Sequence, residues 1–265
     1  MSDWKHVAKV ATDISKETDR LDILVNNAAR GIMTYQLTDY GVDRHMAVNH
    51  MGHVILTSHL LPLLKKTADS GSKVHIVNTA SNAHESVPKD CQFKSIDDLN
   101  KDLGPMPQYG RAKLTAILYS KYLNRHVTKE HPNLLANAIH PGVVKTKMSE
   151  EDIFEPYPLA GYLMSGGLTP FKKDQFEGAL STLYAATVTG KSGKVRRIVW
   201  SKESDRCTDV YLVYMPTSNL RARFRSRQQR GVVRRSDEVD PRDHQREDEG
   251  GRQGLSTERL LGYTL

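Results

Sequence analysis

Cysteine is scarce in this chain. Cys91 and Cys207 are the only two, they lie far apart, and neither belongs to a metal-ligand spacing. That argues against a disulfide-stapled scaffold and fits a reducing compartment. Long apolar runs are missing as well: nothing approaches the ~20 residues of a membrane span. The most apolar stretch, Val54–Leu64, is interrupted by Thr57, Ser58, His59 and Pro62. The N-terminal text MSDWKHVAKVATDISKE has no apolar segment of the kind a secretory signal needs. The expectation is a soluble, cytoplasmic protein. Apolar residues make up only 38% of the chain and the mean hydropathy is −0.54, polar for a compact enzyme. The histidines at 50, 53, 84 and 140 show no ligand pattern and are assigned to surface or packing, with no metal site expected.

What is present begins with charge. The formal charge is +7, but residues 195–265 hold 15 Lys+Arg and 11 Asp+Glu, so that last quarter supplies +4 of it. Basicity is therefore a property of the tail and says little about a ligand. The 265 residues suffice for one α/β domain with a sizeable core.

Along the chain, Trp4, Val7, Val10, Ala11 and Ile14 recur at helical spacing, predicting an amphipathic helix over 3–19. Leu21–Val25 is a short apolar run stopped by Asn26 and Asn27, which suits a buried parallel strand. A long helix is expected over 40–66, ending in the basic pair Lys65–Lys66, and a second strand over 73–79. Residues 84–106 are polar and proline-bearing and read as a loop. A helix follows over 108–129, then a strand over 134–139 stopped by His140-Pro141-Gly142. Residues 147–171 read as a lid, and 174–188 as a further helix. Strands alternating with helices in this way predict a parallel sheet covered by helices. After Lys194 the character changes: Arg221–Arg235 holds seven arginines in fifteen residues, and 237–254 is almost wholly charged, Gly or Gln. Disorder is expected there, and 1–194 and 195–265 are taken as separate domains.

The pattern that carries chemistry is Tyr109-Gly-Arg-Ala-Lys113. Positions i and i+4 share a helix face. A tyrosine ionises near pH 10, too high for a base at neutral pH, and a lysine cation one turn away favours the phenolate. Such a pair suits proton transfer at a hydroxyl or carbonyl. Alone it is weak, since any long helix shows it by chance. Ser81 stands directly after a strand, and Asn26-Asn27-Ala28-Ala29 and Pro141-Gly142-Val143-Val144-Lys145-Thr146 end two others. These are the strand ends where open α/β sheets bind ligands. Asn49 lies inside a helix it does not favour, in AVNHMGH. The plain readings are that Asn26–Asn27 is a strand terminus, Asn49 a helix irregularity and Thr146 a cap.

Together these motifs resemble the short-chain dehydrogenase/reductase family over roughly residues 3–194, most closely its retinol-dehydrogenase-like branch, common in fungal secondary metabolism. The resemblance implies a Rossmann-type, doubly wound parallel sheet. It implies Tyr109 as general acid/base, Lys113 lowering the Tyr109 pKa and binding the nicotinamide ribose, and Ser81 bonding the substrate oxygen. It implies Asn49 holding a relay water, and Asn27, Val144 and Thr146 contacting the dinucleotide with Tyr109 and Lys113. The cofactor is NADP or NAD, NADP slightly preferred. The substrate is a small lipophilic alcohol, ketone or aldehyde, with no nucleic-acid partner, and a homo-oligomer can form through helices 40–66 and 108–129.

The sequence departs from the family twice. The TGxxxGxG loop, which brings backbone up to the pyrophosphate, is not in it; the text starts as if after the third strand, lacking the first βαβαβ half. An unpaired strand edge at 21–25 is expected, with weak or no NAD(P) binding. Val195 onward also loses the resemblance. Val195-Arg196 can be encoded by GTACGT, a fungal-type splice donor. Codons for Val213–Pro216 read one base on can give YICP, and those for Arg221–Glu249 an amphipathic helix. This predicts a retained intron and shifted frame, which the spliced transcript settles. Three readings stand: an oxidoreductase, an inactive remnant, and a non-catalytic partner subunit of an intact homologue.

Overall fold

The computed structural model describes residues 1–146, 152–157, 172–187 and 212–213, all within the compact unit Met1–Thr217. Helix α1 (Trp4–Glu17) starts where Asp3 accepts the His6 N–H at 2.9 Å, and it buries Val7 and Ala11. Strand β1 (Ile23–Asn26) buries Leu24 and Asn26 and leaves Ile23 and Val25 exposed. Helix α2 (Arg44–Met46), capped by the Asp43 carboxylate, runs through a π turn at Ala47–Met51 into α3 (Gly52–Asp69). Strand β2 (Val74–Thr79) is buried at all six positions, as a strand covered on both faces must be. Helix α4 (Ile96–Asn100) and α5 (Pro105–Leu123) follow, a second π turn at Asn124–Thr128 prolongs α5, and β3 is Leu134–Ile139. Helix α6 (Gln175–Thr187) and strand β4 (Leu212–Val213) complete the described elements.

The sheet has the order β1-β2-β3-β4, parallel throughout. Register places Asn26 beside Asn78 and Asn78 beside Ala138. On one face Ala11 of α1, Leu60, Leu64 and Ala68 of α3 and Leu123 of α5 pack on Leu24, Val74, Ile76, Leu134 and Ala136. On the other, Ala185 and Ala186 of α6 pack on Val77 and Ile139. Helices thus cover both faces of a parallel sheet, the doubly wound α/β architecture expected. Among the described residues β1 has one strand neighbour and forms a sheet edge.

Three expectations need correction. The segment 84–106 is not a plain loop: it holds a 3₁₀ turn at Asn82–Ser86 and the short α4. The latter is nucleated by a capping box in which Ser95 accepts the Asp98 N–H and Asp98 accepts the Ser95 N–H. Helix α5 begins at Pro105, not Gln108, because proline is tolerated in a first helical turn. The segment after Lys194 is not without regular structure, since Leu212 and Val213 pair with Ala138 and Ile139. They lie in Val-Tyr-Leu-Val-Tyr, a run of good strand formers. The arginine-rich stretch 221–235, the charged stretch 237–254 and all of the lid 147–171 except 152–157 lie outside the described residues.

Candidate active site

Glycine at 110 explains how the site assembles. A Cβ there would stand 2.3 Å from the Ala83 carbonyl oxygen and 2.5 Å from Ser86 Oγ. Only glycine lets α5 press this closely on the 3₁₀ turn that follows β2. Ser81 caps that turn, its hydroxyl accepting the Ala83 N–H at 3.2 Å. This packing brings Tyr109 near Ser81, the neighbour that favours its phenolate. Lys113, one turn further along α5, is 2% exposed, and its Nζ lies 5.6 Å from the Tyr109 ring centroid. That Nζ donates to the Thr79 carbonyl at 2.9 Å.

Electrostatics in this pocket run against one expectation. Burial pushes the Tyr109 phenol up to about 12, and a hydrogen bond from Ser81, which favours the phenolate, offsets only part of this. Burial takes Lys113 down to about 8. Desolvation penalises the charged form of both side chains, and at Tyr109 it outweighs what favours the phenolate.

Asn49 is fully buried in the π turn, a helical irregularity frequent at functional sites. Its Oδ1 accepts the Arg30 N–H at 2.8 Å and its Nδ2 donates to the Arg30 carbonyl at 2.9 Å. Both ends of the amide hold the loop after β1, so the side chain is occupied there. Asn27 Oδ1 accepts from Thr79 Oγ1 at 3.0 Å, tying the ends of β1 and β2. Val144 and Lys173 form a parallel bridge, with the Lys145 N–H on the Lys173 carbonyl at 2.9 Å and the Lys173 N–H on the Val143 carbonyl at 2.8 Å. Gly178 of α6 lets that helix lie on Val144, where a Cβ would meet Cγ2 at 2.5 Å. Thr146 is half-buried beside this bridge.

Ser81, Tyr109 and Lys113 thus lie where α5 meets the turn after β2; Asn27 follows β1, Val144 and Thr146 lie in the segment past the end of β3, and Asn49 holds Arg30. Sequence reasoning missed a buried polar ladder beneath them. Asn26 Nδ2 donates to Thr57 Oγ1 at 2.9 Å and to Asn78 Oδ1 at 2.8 Å, and Asn78 Nδ2 donates to Ser120 Oγ at 2.8 Å. Asparagines at matching positions of two parallel strands, in VNN and VNT, were the available signal. Among the described residues no three His, Cys, Asp or Glu are grouped to hold a metal ion, and no helix is long and apolar enough to cross a membrane.

The donor set suits half of a dinucleotide. Lys113 offers a buried ammonium with three N–H groups, one taken by Thr79; set at the strand ends beside Tyr109, it fits the hydroxyls of a ribose. Nothing in the sequence corresponds to a glycine-rich pyrophosphate cradle.

A family profile described as short chain dehydrogenase matches residues 1–92. A Neurospora crassa protein named as a mitochondrial oxidoreductase, bli-4, is 56% identical over 199 residues, covering 73% of this chain and 48% of that protein. Human retinol dehydrogenase 14 is 31% identical over 199 residues, covering 73% of this chain and 55% of its own length. The chain therefore spans about half the length of these curated relatives. Among solved structures, levodione reductase superposes with a TM-score of 0.53 at 17% identity, covering 70% of this chain and 67% of that one. The KRED1-Pglu enzyme does so at 0.51 and 19%, covering 72% and 73%. At such identities these two likenesses speak for the fold.

Proposed function

This chain belongs to the short-chain dehydrogenase/reductase family, and from that premise we propose that Ser81, Tyr109 and Lys113 carry proton transfer in an NAD(P)-dependent interconversion of alcohol and ketone or aldehyde on a lipophilic small molecule. The observation that carries this reading is the close approach of Gly110 to the turn that Ser81 caps, which brings Tyr109 near Ser81 with Lys113 one turn away. In the reductive direction Tyr109 Oη gives its proton to the carbonyl oxygen while the Ser81 hydroxyl bonds the same oxygen. A phenol pushed up to about 12 is protonated at neutral pH and so has a proton to give in this direction. Lys113 binds the ribose beside Tyr109, and Asn27, Val144 and Thr146 border the nicotinamide. The nicotinamide, when bound, supplies or takes the hydride.

Support for a lipophilic substrate is the name of the retinol dehydrogenase relative together with half-buried Phe154 and Tyr157 in the segment after the Val144 strand end. NADP is preferred over NAD, and a role in secondary metabolism is part of the reading. Leu118 and Tyr122, exposed on α5, suit a homo-oligomer through the long helices. The compartment proposed is cytoplasmic; the name of the Neurospora relative places that protein in the mitochondrion, and fractionation distinguishes the two.

A second reading is a non-catalytic subunit that pairs with a homologous chain through the same exposed α5 face, Leu118 and Tyr122. Titration with NADPH and NADH, followed by nicotinamide fluorescence and thermal shift, separates the two. The enzyme reading expects saturable binding that Lys113→Met abolishes, and NADPH consumption with lipophilic ketones. No response to either nucleotide sinks it for this chain.

A further inference from the structure

Two ion pairs join the described segment 152–157 to the residues that hold Asn49, and the catalytic reading does not use them. Arg30, whose backbone is gripped at both ends by the Asn49 amide, reaches Asp152 with Nη2 at 3.2 Å from Oδ1 and Nε at 3.4 Å from Oδ2. The Gly31 N–H donates to the same Asp152 carboxylate at 2.7 Å. Three residues on, Glu155 accepts from Thr34 Oγ1 at 2.7 Å and pairs with Arg44 Nη2. Arg44 also donates from Nε to the Thr34 carbonyl at 2.8 Å and from Nη2 to Thr34 Oγ1 at 2.7 Å. Arg44 opens α2, which leads straight into the π turn carrying Asn49.

Both basic anchors therefore belong to the frame around Asn49, one through its own peptide and one through the helix entering the turn. Asp152 is well covered, its side chain 13% exposed, and Arg44 is 19% exposed. Two carboxylates three residues apart, each meeting a different arginine with bonds from neighbouring backbone or hydroxyl, are more than a scattered surface pair. Desolvation works to raise the Glu155 carboxyl, but hydrogen bonds from Arg44 and Thr34 hold it below its ordinary value, which agrees with a carboxylate built into a partnered site.

We propose that Arg30 and Arg44, with Asp152 and Glu155, are positioning residues: they clasp segment 152–157 onto the β1 loop and thereby fix the Asn49 turn. Seating this segment, on the side where the catalytic reading puts the substrate, and setting Asn49 become one event. This rests on the function proposed above only for what the clasp serves; its mechanics are read independently.

The amide hydrogens report directly, since the Arg30 N–H reads the Asn49 contact and the Gly31 N–H reads the Asp152 contact. Hydrogen exchange on the full chain is compared for the wild type, Glu155→Gln and Arg44→Gln, at low and high salt. Glu155→Gln touches neither Arg30 nor Asn49, yet the clasp requires it to speed exchange at both amides by roughly fivefold, the upper range for a single exposed ion pair. High salt should do the same to the wild type and little more to the variant. Thermal unfolding of each variant shows that the fold is retained. If Gly31 and Arg30 keep wild-type protection in Glu155→Gln, the coupling is overturned, as it is if Gly31 loosens while Arg30 does not. A null result in nucleotide titration removes the enzymatic reading and leaves this test intact. Where turnover is measured, Glu155→Gln should raise KM and lower kcat together, whereas a role confined to holding substrate would leave kcat unchanged.

Discussion

A methyl group at position 110 has nowhere to go. The nearest atom is a backbone carbonyl oxygen at 2.3 Å, which cannot swing aside as a side chain can. Gly110→Ala should therefore part α5 from the 3₁₀ turn at Asn82–Ser86 and destabilise the chain by about 1–3 kcal/mol, the range for overpacking. Urea unfolding measures this, and a second substitution, Ser86→Ala, should recover only a fraction because the Ala83 carbonyl remains. A wild-type midpoint for Gly110→Ala would show that the two elements are not in contact. The tyrosine and lysine of this motif were legible from sequence because helical spacing alone puts them on one face. Their protonation was not: the direction of each pKa is set first by burial, which is not written in the spacing.

Among elements, the strands and long helices were readable because each buries a periodic apolar set against the sheet. Helix α4 was not, although Ser95 and Asp98 stand at the separation of a capping box; a five-residue helix has no apolar period to announce it. The π turn at Ala47–Met51 was visible only as a misplaced asparagine, since what draws Asn49 inward is the Arg30 peptide, far off in sequence. The polar ladder from Thr57 through Asn26 and Asn78 to Ser120 joins α3, β1, β2 and α5. Its members are all buried, so each bond replaces water that cannot reach it. Asn78→Ala removes the central amide and strips partners from Asn26 and Ser120 together. Leaving buried polar groups short of partners costs about 1–3 kcal/mol each, so a loss of about 2–4 kcal/mol is expected in urea unfolding. A loss below about 1 kcal/mol would mean that Asn26 finds another acceptor and that the ladder does not tie the elements.

At the scale of the whole molecule, imidazoles are buried in several elements at once, and this sets how stability follows pH. Burial takes His53 of α3 down to about 4, helped by the Lys113 charge, and takes His140 after β3 down to about 4, helped by Lys173, His84 and Lys113. His50 in the π turn falls to about 3, burial first and His53 second, and burial lowers His75 of β2 as well. In the unfolded chain these groups take up protons as pH drops below the ordinary 6.5, while in the fold His53 and His140 stay neutral until about 4 and His50 until about 3. The unfolded state then binds more protons, so stability falls as pH goes from 6.5 towards 4 and is level above 6.5. Each well-buried histidine contributes a slope of up to about 1.4 kcal/mol per pH unit, so His53 and His140 together remove up to about 4 kcal/mol between pH 6.5 and 5. Carboxylates held low, such as Asp22 by its hydrogen bond from Arg20, give up their contribution only below their ordinary value of 3.8, which keeps the two windows apart. Urea midpoints measured from pH 5 to 7.5 should climb to about 6.5 and then flatten, and His53→Gln and His140→Gln should each make the climb shallower. Equal stability at pH 5 and pH 7 would mean that these rings take up protons without unfolding, and the packing around α3 and the end of β3 would have to be looser than the structure has it.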